Sequence, residues 1–587
     1  MNYTTKNRNA TGQVTLQVTE REAEVTLLEF CVDFGEPTVP QPIEIRWEEP
    51  CVEMLACLRG NPGIRRTLNP NWGKQRSAAR LASGAPTMTW LGNEGINRLT
   101  VTVSDAKTPT EICGGVIEEN ACMDCRVTFF TERIGAVSSY RAEILLDRRP
   151  ARYEDALRTA DRFWVEHGYP HAHVPDAAKD AVYSCWYSFH QQVEPEAILA
   201  QCRLAKQLGM KTVIVDDGWQ TDDNSRGYAF CGDWAVAPGK IPSMRALADA
   251  VHALEMKLVI WYSVPFVGTY TKAYGRFSDM LLGPAGRDFW ALDPRYPAVR
   301  EYLTGLYTDA VRTWDLDGFK LDFIDSFKLK DETRPEDPRR DTESLEEGVD
   351  RLLAGVSAAL RAVKPDILIE FRQTYFGPAV RKYGNMIRVA DCPDDPLFNR
   401  VTGVDMRFLL GTVPVHSDML MWHLQDSPEA VAYQMITVLP TVPQISVLLD
   451  RIPAEQQEVL AFWLSFWQAH RDTLLSGDLR ADHPEALYSQ VRMTKDGERV
   501  VIAYTDPVVT LPASGSLYIC NATGAENICL VGQGAPQTCR ITVRDCRGRV
   551  TEERTETLCP GATLVTVPRC GLAELVLVML LRHIIGA

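Results

Sequence analysis

The rhythm of apolar and polar positions along the chain changes twice. Over residues 1–168 short alternating or β-branched runs recur at 13–19, 22–31, 98–103, 127–131 and 142–146, parted by Gly, Pro and Asn clusters. A period of two sends successive side chains to opposite faces of a strand, so these runs predict an N-terminal β-sandwich. Over residues 169–478 near-continuous apolar runs at 182–187, 211–216, 257–262, 318–322, 367–371, 386–390 and 444–448 alternate with amphipathic stretches at 195–208, 244–255, 297–314, 344–363 and 453–469. Strands apolar on both sides suit a parallel sheet covered by helices. Seven or eight such units predict a (β/α)8 barrel and an α/β fold class. A doubly wound open sheet is the weaker alternative, because no GxGxxG turn follows the first strand. Over residues 479–587 strands return, at 500–504, 517–520, 540–543 and 564–567, predicting a C-terminal antiparallel, sandwich-like β-domain.

Composition narrows the function classes. A net charge of −15 over 587 residues argues against a nucleic-acid partner or an anionic membrane surface and says little about an uncharged ligand. The polar start, Met1-Asn2-Tyr3-Thr4-Thr5-Lys6, has no apolar core of a secretion signal, so a cytoplasmic location is expected. The apolar run 575–585 is broken by Arg582 and His583 and is too short for a bilayer; a final strand or packed tail is expected. The sixteen cysteines are scattered, which in that compartment predicts reduced thiols. Cys122-Met-Asp-Cys125 is a lone pair without a second arm, and His416, Asp418 and His423 lack ligand spacing, so no metal site is expected. No phosphate loop or nucleotide fingerprint occurs, so no cofactor is expected.

In a (β/α)8 barrel chemistry sits at the carboxyl ends of the strands. The second strand runs into Asp216-Asp217-Gly218-Trp219-Gln220, two adjacent carboxylates able to accept from neighbouring hydroxyls, beside an indole that would offer an apolar face. The fourth ends Lys320-Leu321-Asp322-Phe323, where period two puts Lys320 and Asp322 on one face as an expected charge pair that keeps Asp322 ionised. The sixth delivers Arg388-Val389-Ala390-Asp391, followed by Asp394 and Asp395 in a loop that Pro393 and Pro396 should keep non-helical. Aromatics gather at these ends: Trp186 and Tyr187 on the first strand, Trp219, Trp234, and Trp261 with Tyr262 on the third. This set fits a carbohydrate. Cleaving a glycosidic bond with retention needs one ionised carboxylate to attack the anomeric carbon and one protonated carboxyl to serve the leaving oxygen. Carboxyl separations of about 5–5.5 Å favour retention and about 6.5–9.5 Å inversion.

Ser184-Cys-Trp-Tyr-Ser188, Val215-Asp-Asp-Gly-Trp-Gln220, Gly232-Asp-Trp234, Lys257-Leu-Val-Ile-Trp261, Asp317-Gly-Phe-Lys-Leu-Asp322 and Arg388-Val-Ala-Asp391 together resemble glycoside hydrolase family 36, the α-galactosidase or melibiase family. The resemblance extends to the order sandwich, barrel, β-domain. It implies a retaining exo-glycosidase releasing terminal α-galactose, with Asp322 as nucleophile and Asp391 as acid/base. It also implies that Asp216 and Asp217 hold the 4- and 6-hydroxyls, that Lys320 contacts the 3- and 4-hydroxyls, that Trp234 and Trp261 pack around the sugar, and that Arg388 is a further contact. Where many members carry Cys-Ser-Ser-Gly-Gly-Gly-Arg after the fifth strand, this chain has Glu370-Phe-Arg-Gln-Thr-Tyr375, with Arg372 in the arginine's stead. Trp261-Tyr-Ser-Val-Pro265 also lacks a glutamate common in the family. The alternatives are an α-N-acetylgalactosaminidase or galactosyl transglycosylase on the same fold and, from another class, a non-catalytic carbohydrate-binding protein. The expected partner is a small carbohydrate, with no nucleic acid and no membrane; a homo-oligomer is compatible with the sequence.

Overall fold

The structure is a computed structural model describing residues 2–577. Its centre is a closed barrel of eight parallel strands: β1 (Val182–Ser184), β2 (Thr212–Val215), β3 (Lys257–Ser263), β4 (Gly318–Asp322), β5 (Leu368–Arg372), β6 (Met386–Arg388), β7 (Val415–Leu420) and β8 (Val442–Ile445). Alternate residues face opposite ways. Val182, Ile214, Val259, Leu368 and Met386 pack together as a small apolar plug with Ala178. Their neighbours Val213, Leu258, Phe319, Ile369 and Ile387 join the large cluster under the helices. Two residues beyond the plug the inward positions turn polar or aromatic, giving Ser184, Asp216, Trp261, Glu370 and Arg388. The plug is a floor, and the chemistry stands on it.

The helices follow the strands: α1 (Pro195–Gln207), α2 (Met244–Ala253), α3 (Pro297–Trp314), α4 (Leu345–Val363), α5 (Pro396–Leu409), α6 (Pro428–Thr437) and α7 (Ala454–Ala469). Pro396 was expected to hold a loop; it opens α5 instead, as the first helical residue, with the Asp395 carboxylate accepting from Phe398 N–H at 2.9 Å. Between β5 and β6 only residues 373–385 are available, and they form a 3-10 turn, Val380–Lys382, rather than a helix. A helix from ahead of the barrel, Tyr153–Glu166, packs on this flank. Its Asp161 binds Arg381, whose guanidinium lies 5.8 Å from the Trp164 ring, and Tyr153 meets Phe408 of α5 edge-on.

Two six-stranded antiparallel sheets precede the barrel and enclose a core that includes Phe30, Trp47, Trp90, Val101 and Phe129. After it come a seven-stranded and a three-stranded sheet, mostly antiparallel with one parallel pair in each. The last described strand, Leu572–Leu577, takes up the start of the apolar run; the rest of that run lies outside the described residues. All sixteen cysteines are free thiols. Cys122 and Cys125 sit three apart on one strand, hence on opposite faces.

The sandwich also grips the barrel mouth. Gln373 donates to Asn61 Oδ1 at 2.9 Å and to the Pro62 carbonyl at 2.7 Å, and Gly84 N–H donates to the Thr374 carbonyl at 3.1 Å. Arg80 reaches the carbonyls of Asp325 and Phe327 beyond β4. Arg66 forms a buried ion pair with Asp405 of α5 at 2.7 Å, and Asp405 also accepts from Tyr488.

Candidate active site

Asp322 ends β4 and is 4% exposed. Its carboxylate accepts from the Trp261 indole at 2.9 Å, from Phe323 N–H at 2.9 Å, from Arg372 Nε at 3.2 Å and from the Tyr375 hydroxyl. The expected Lys320–Asp322 pair is corrected here: Lys320 Nζ crosses the lumen to Asp216 Oδ2 at 2.6 Å. Residues two apart on a strand rise by about 6.6 Å side by side, so a long lysine reaches across rather than along. The close cation at Asp322 is Arg372. Burial opposes the charge on Lys320, but Asp216 outweighs it and holds the ammonium above its ordinary value.

Asp216 and Asp217 are both buried at the mouth of β2. Asp217 accepts from Gln191 and Gln220 Nε2, each at 2.7 Å, one on each oxygen. Burial lifts its carboxyl to about 6, against the pull of those two amides.

Asp391 lies beyond β6 with its side chain 48% exposed and accepts from Arg388 Nη2 at 2.8 Å. Burial within the mouth pushes its carboxyl up, but Arg388, Arg372 and Lys320 prevail and hold it well below the usual carboxylate range. Asp394 and Asp395, the other carboxylates of that loop, have structural partners: Asp394 accepts from Gln434 at 2.8 Å, and Asp395 caps α5. Arg388, read as a sugar contact, is 1% exposed and is shared among carboxylates. It binds Asp391, pairs closely with Asp418 of β7, and stands 3.7 Å from Glu370 of β5. Asp418 in turn accepts from Cys392 N–H at 2.6 Å and from the Tyr187 hydroxyl at 3.0 Å.

The aromatics divide. Trp261 touches Asp322 directly. Trp219 is fully buried, donating to the Trp261 carbonyl at 2.9 Å and packing against Trp234, Tyr262 and Trp314, so it has no exposed face to offer a sugar. Trp234 is 4% exposed in the same stack. Trp186 and Tyr187 stand on a short helix, Trp186–Phe189, past the end of β1 rather than on it; both are half-buried, and Arg226 lies over the Trp186 ring. The half-buried wall beside Asp322 is built instead by Tyr228, stacked on Trp261, and Phe323.

Glu370, Asp418, Tyr375 and Tyr228 were missed as site residues. A signal existed for the first two. Glu370-x-Arg372 mirrors Lys320-x-Asp322 on the neighbouring strand, and His416-x-Asp418 repeats the spacing on β7. His416 is wholly buried, with Nε2 2.9 Å from the Ala178 carbonyl, and burial lowers its imidazole to about 4.

Residues 171–364, from just before β1 to the end of α4, match the family model described as Melibiase. Over those residues the chain is similar to that family. Its curated relatives include alpha-galactosidase 2 of Pediococcus pentosaceus, 28% identical over 149 residues that make up 24% of this chain and 21% of that protein. Alpha-galactosidase 1 of the same organism is 32% identical over 112 residues, 18% of this chain and 14% of that protein. The matched stretches thus span about a fifth or less of those relatives' length. Similar solved folds extend beyond the matched residues. The alpha-galactosidase of Lactobacillus brevis aligns over 99% of this chain and 86% of its own, with TM-score 0.65 and 13% identity. The GH36 alpha-galactosidase AgaA of Geobacillus stearothermophilus, solved with 1-deoxygalactonojirimycin, aligns over 97% and 81%, with TM-score 0.64 and 15% identity.

Proposed function

We propose that the chain is a retaining exo-glycosidase that releases terminal α-linked galactose by double displacement. Asp322 is the nucleophile, Asp391 the acid/base, and Asp216, Asp217 and Lys320 the acceptors and donor for the sugar's hydroxyls. The observation that carries this reading is Asp322 itself: a buried carboxylate at the end of β4, held by Arg372, Trp261, Phe323 and Tyr375. A carboxylate oriented by fixed donors is what attack on an anomeric carbon requires. The melibiase match and the ligand in the AgaA structure support galactose as the sugar.

Asp391 is ionised while Arg388 donates to it, so to act as the acid it must take up a proton as substrate enters, against the pull of an arginine that Asp418 and Glu370 also hold. The half-buried Tyr228–Phe323 wall supplies the apolar face of the sugar subsite.

The test is turnover of aryl α-galactoside, α-N-acetylgalactosaminide, α-glucoside and β-galactoside by the wild type and by Asp322→Ala. The expected result is selective hydrolysis of the α-galactoside, lowered about 10⁴-fold or more in the variant. Undiminished turnover by Asp322→Ala removes the assignment.

A further inference from the structure

The donors around Asp322 are shared unevenly between its two oxygens. Oδ1 accepts from Phe323 N–H at 2.9 Å, from Arg372 Nε at 3.2 Å and from the Tyr375 hydroxyl, whereas Oδ2 accepts from the Trp261 indole at 2.9 Å. A carboxylate has about four lone-pair directions in all, so three donors leave Oδ1 saturated while Oδ2 keeps one direction open. Tyr375 is 1% exposed, and the Arg372 guanidinium lies 5.1 Å from its ring and 5.6 Å from that of Phe323. The loop carrying Tyr375 is clamped from outside the barrel. Gln373 is bonded to Asn61 and Pro62, and the Thr374 carbonyl to Gly84. At Gly377, with φ +129°, a Cβ would meet the Gly84 carbonyl oxygen at 2.2 Å, so sandwich and loop are in close backbone contact.

We propose that Oδ2 of Asp322 is the attacking atom, and that Tyr375 is a positioning residue that holds Oδ1 and stabilises Asp322 when it departs as a carboxylate. This rests on Asp322 being the nucleophile. In the first half-reaction Oδ2 bonds to the anomeric carbon and the bond from that carbon to the aglycone oxygen breaks. The electron pair leaves on that oxygen, which takes the proton of Asp391, and Oδ1 becomes the carbonyl oxygen of the ester. In the second half the oxygen of water bonds to the anomeric carbon and gives a proton to Asp391. The bond to Oδ2 breaks, and its electron pair returns to Asp322. A hydrogen bond to an ionised acceptor is about twice as strong as one to a neutral acceptor. The bond from Tyr375 therefore weakens as the ester forms and strengthens as the carboxylate is released. Its net help goes to the second half.

Tyr375→Phe, assayed with 2,4-dinitrophenyl α-galactoside, separates the halves because departure of that aglycone is fast. The expected outcome is a fall of about tenfold or more in kcat with a parallel fall in KM, leaving kcat/KM within about threefold of wild type. A covalent galactosyl-enzyme should accumulate in the intact mass of quenched samples. A merely structural tyrosine gives a different pattern: kcat/KM falling with kcat, KM unchanged or raised, and no adduct. That pattern, or an unchanged kcat, overturns the proposal. Should Tyr375→Phe not fold, 3-fluorotyrosine at 375 keeps the ring and strengthens the donor; it should speed release of the galactosyl group, and an unchanged rate overturns the proposal. Absence of wild-type turnover on this substrate, or full turnover in Asp322→Ala, would instead strike the functional reading beneath it.

Discussion

Asp322 closes a five-residue strand, is 4% exposed, and accepts hydrogen bonds from three side chains, one of them an indole, and from the backbone. Asp391 stands three residues past its strand with a 48% exposed side chain, and its charge is set by an arginine that other carboxylates also claim. The first is fixed by geometry and the second by electrostatics. A nucleophile must keep one orientation and one charge. An acid/base must exchange its proton in every half-reaction, and a half-exposed loop carboxylate under a shared cation can do so.

The contrast can be broken most forcefully at Asp391. Asp391→Asn should lower turnover of galactosyl oligosaccharides about 10²- to 10⁴-fold, the usual worth of a general acid. Formation of the galactosyl-enzyme from 2,4-dinitrophenyl α-galactoside, whose aglycone needs no proton, should change far less. Pre-steady-state bursts on the two substrates check this, and equal losses on both would mean that Asp391 is not the acid.

Arg388→Met tests the electrostatic half. It strands Asp418 and Glu370 in the barrel interior, which should cost about 3–5 kcal/mol of stability, read from denaturant unfolding. Removing a cation that favours the ionised form raises the proton affinity of Asp391. The variant therefore keeps its acid protonated to higher pH, and the alkaline limb of kcat/KM should move upward. A limb that stays in place would detach Asp391 from Arg388.

The smallest of these effects belongs to Asp217. Burial raises its carboxyl to about 6 in the fold, from 3.8. The folded chain then binds more protons than the unfolded one between those values. The contribution of this group to stability is greatest below about 3.8 and declines as pH rises through about 6, by up to about 3 kcal/mol. Asp217→Asn should flatten that decline in melting curves taken from pH 4 to pH 7, while weakening galactose binding. An unaltered pH dependence would show that Asp217 titrates normally.

The barrel was legible because strands buried on both faces and spaced by amphipathic helices leave few other folds, and Asp322 because a strand end in such a barrel faces the mouth. What period two conveys is a face, not a partner. It put Lys320 beside Asp322, whereas the chain folds Lys320 onto Asp216 across the lumen. Trp219 follows the same logic: its place after β2 marked it as a mouth residue, but a free indole N–H close to the Trp261 carbonyl drew it into the core. β7, Val415-His-Ser-Asp-Met-Leu420, is half polar and so stands outside the apolar runs, and Asp418 was weighed only as a metal ligand. Polar strands lining a lumen break the very pattern by which buried strands are recognised. Tyr375 belongs to a loop whose position depends on Asn61, Pro62 and Gly84, more than 280 residues away, and no local pattern announces such a contact.

The most direct measurement is to trap the intermediate with 5-fluoro-α-galactosyl fluoride, digest the protein and locate the adduct by tandem mass spectrometry. A single galactosyl ester on Asp322 is the expected result. An ester on Asp216, Asp391 or any other residue, or hydrolysis that proceeds with no covalent intermediate, would contradict it.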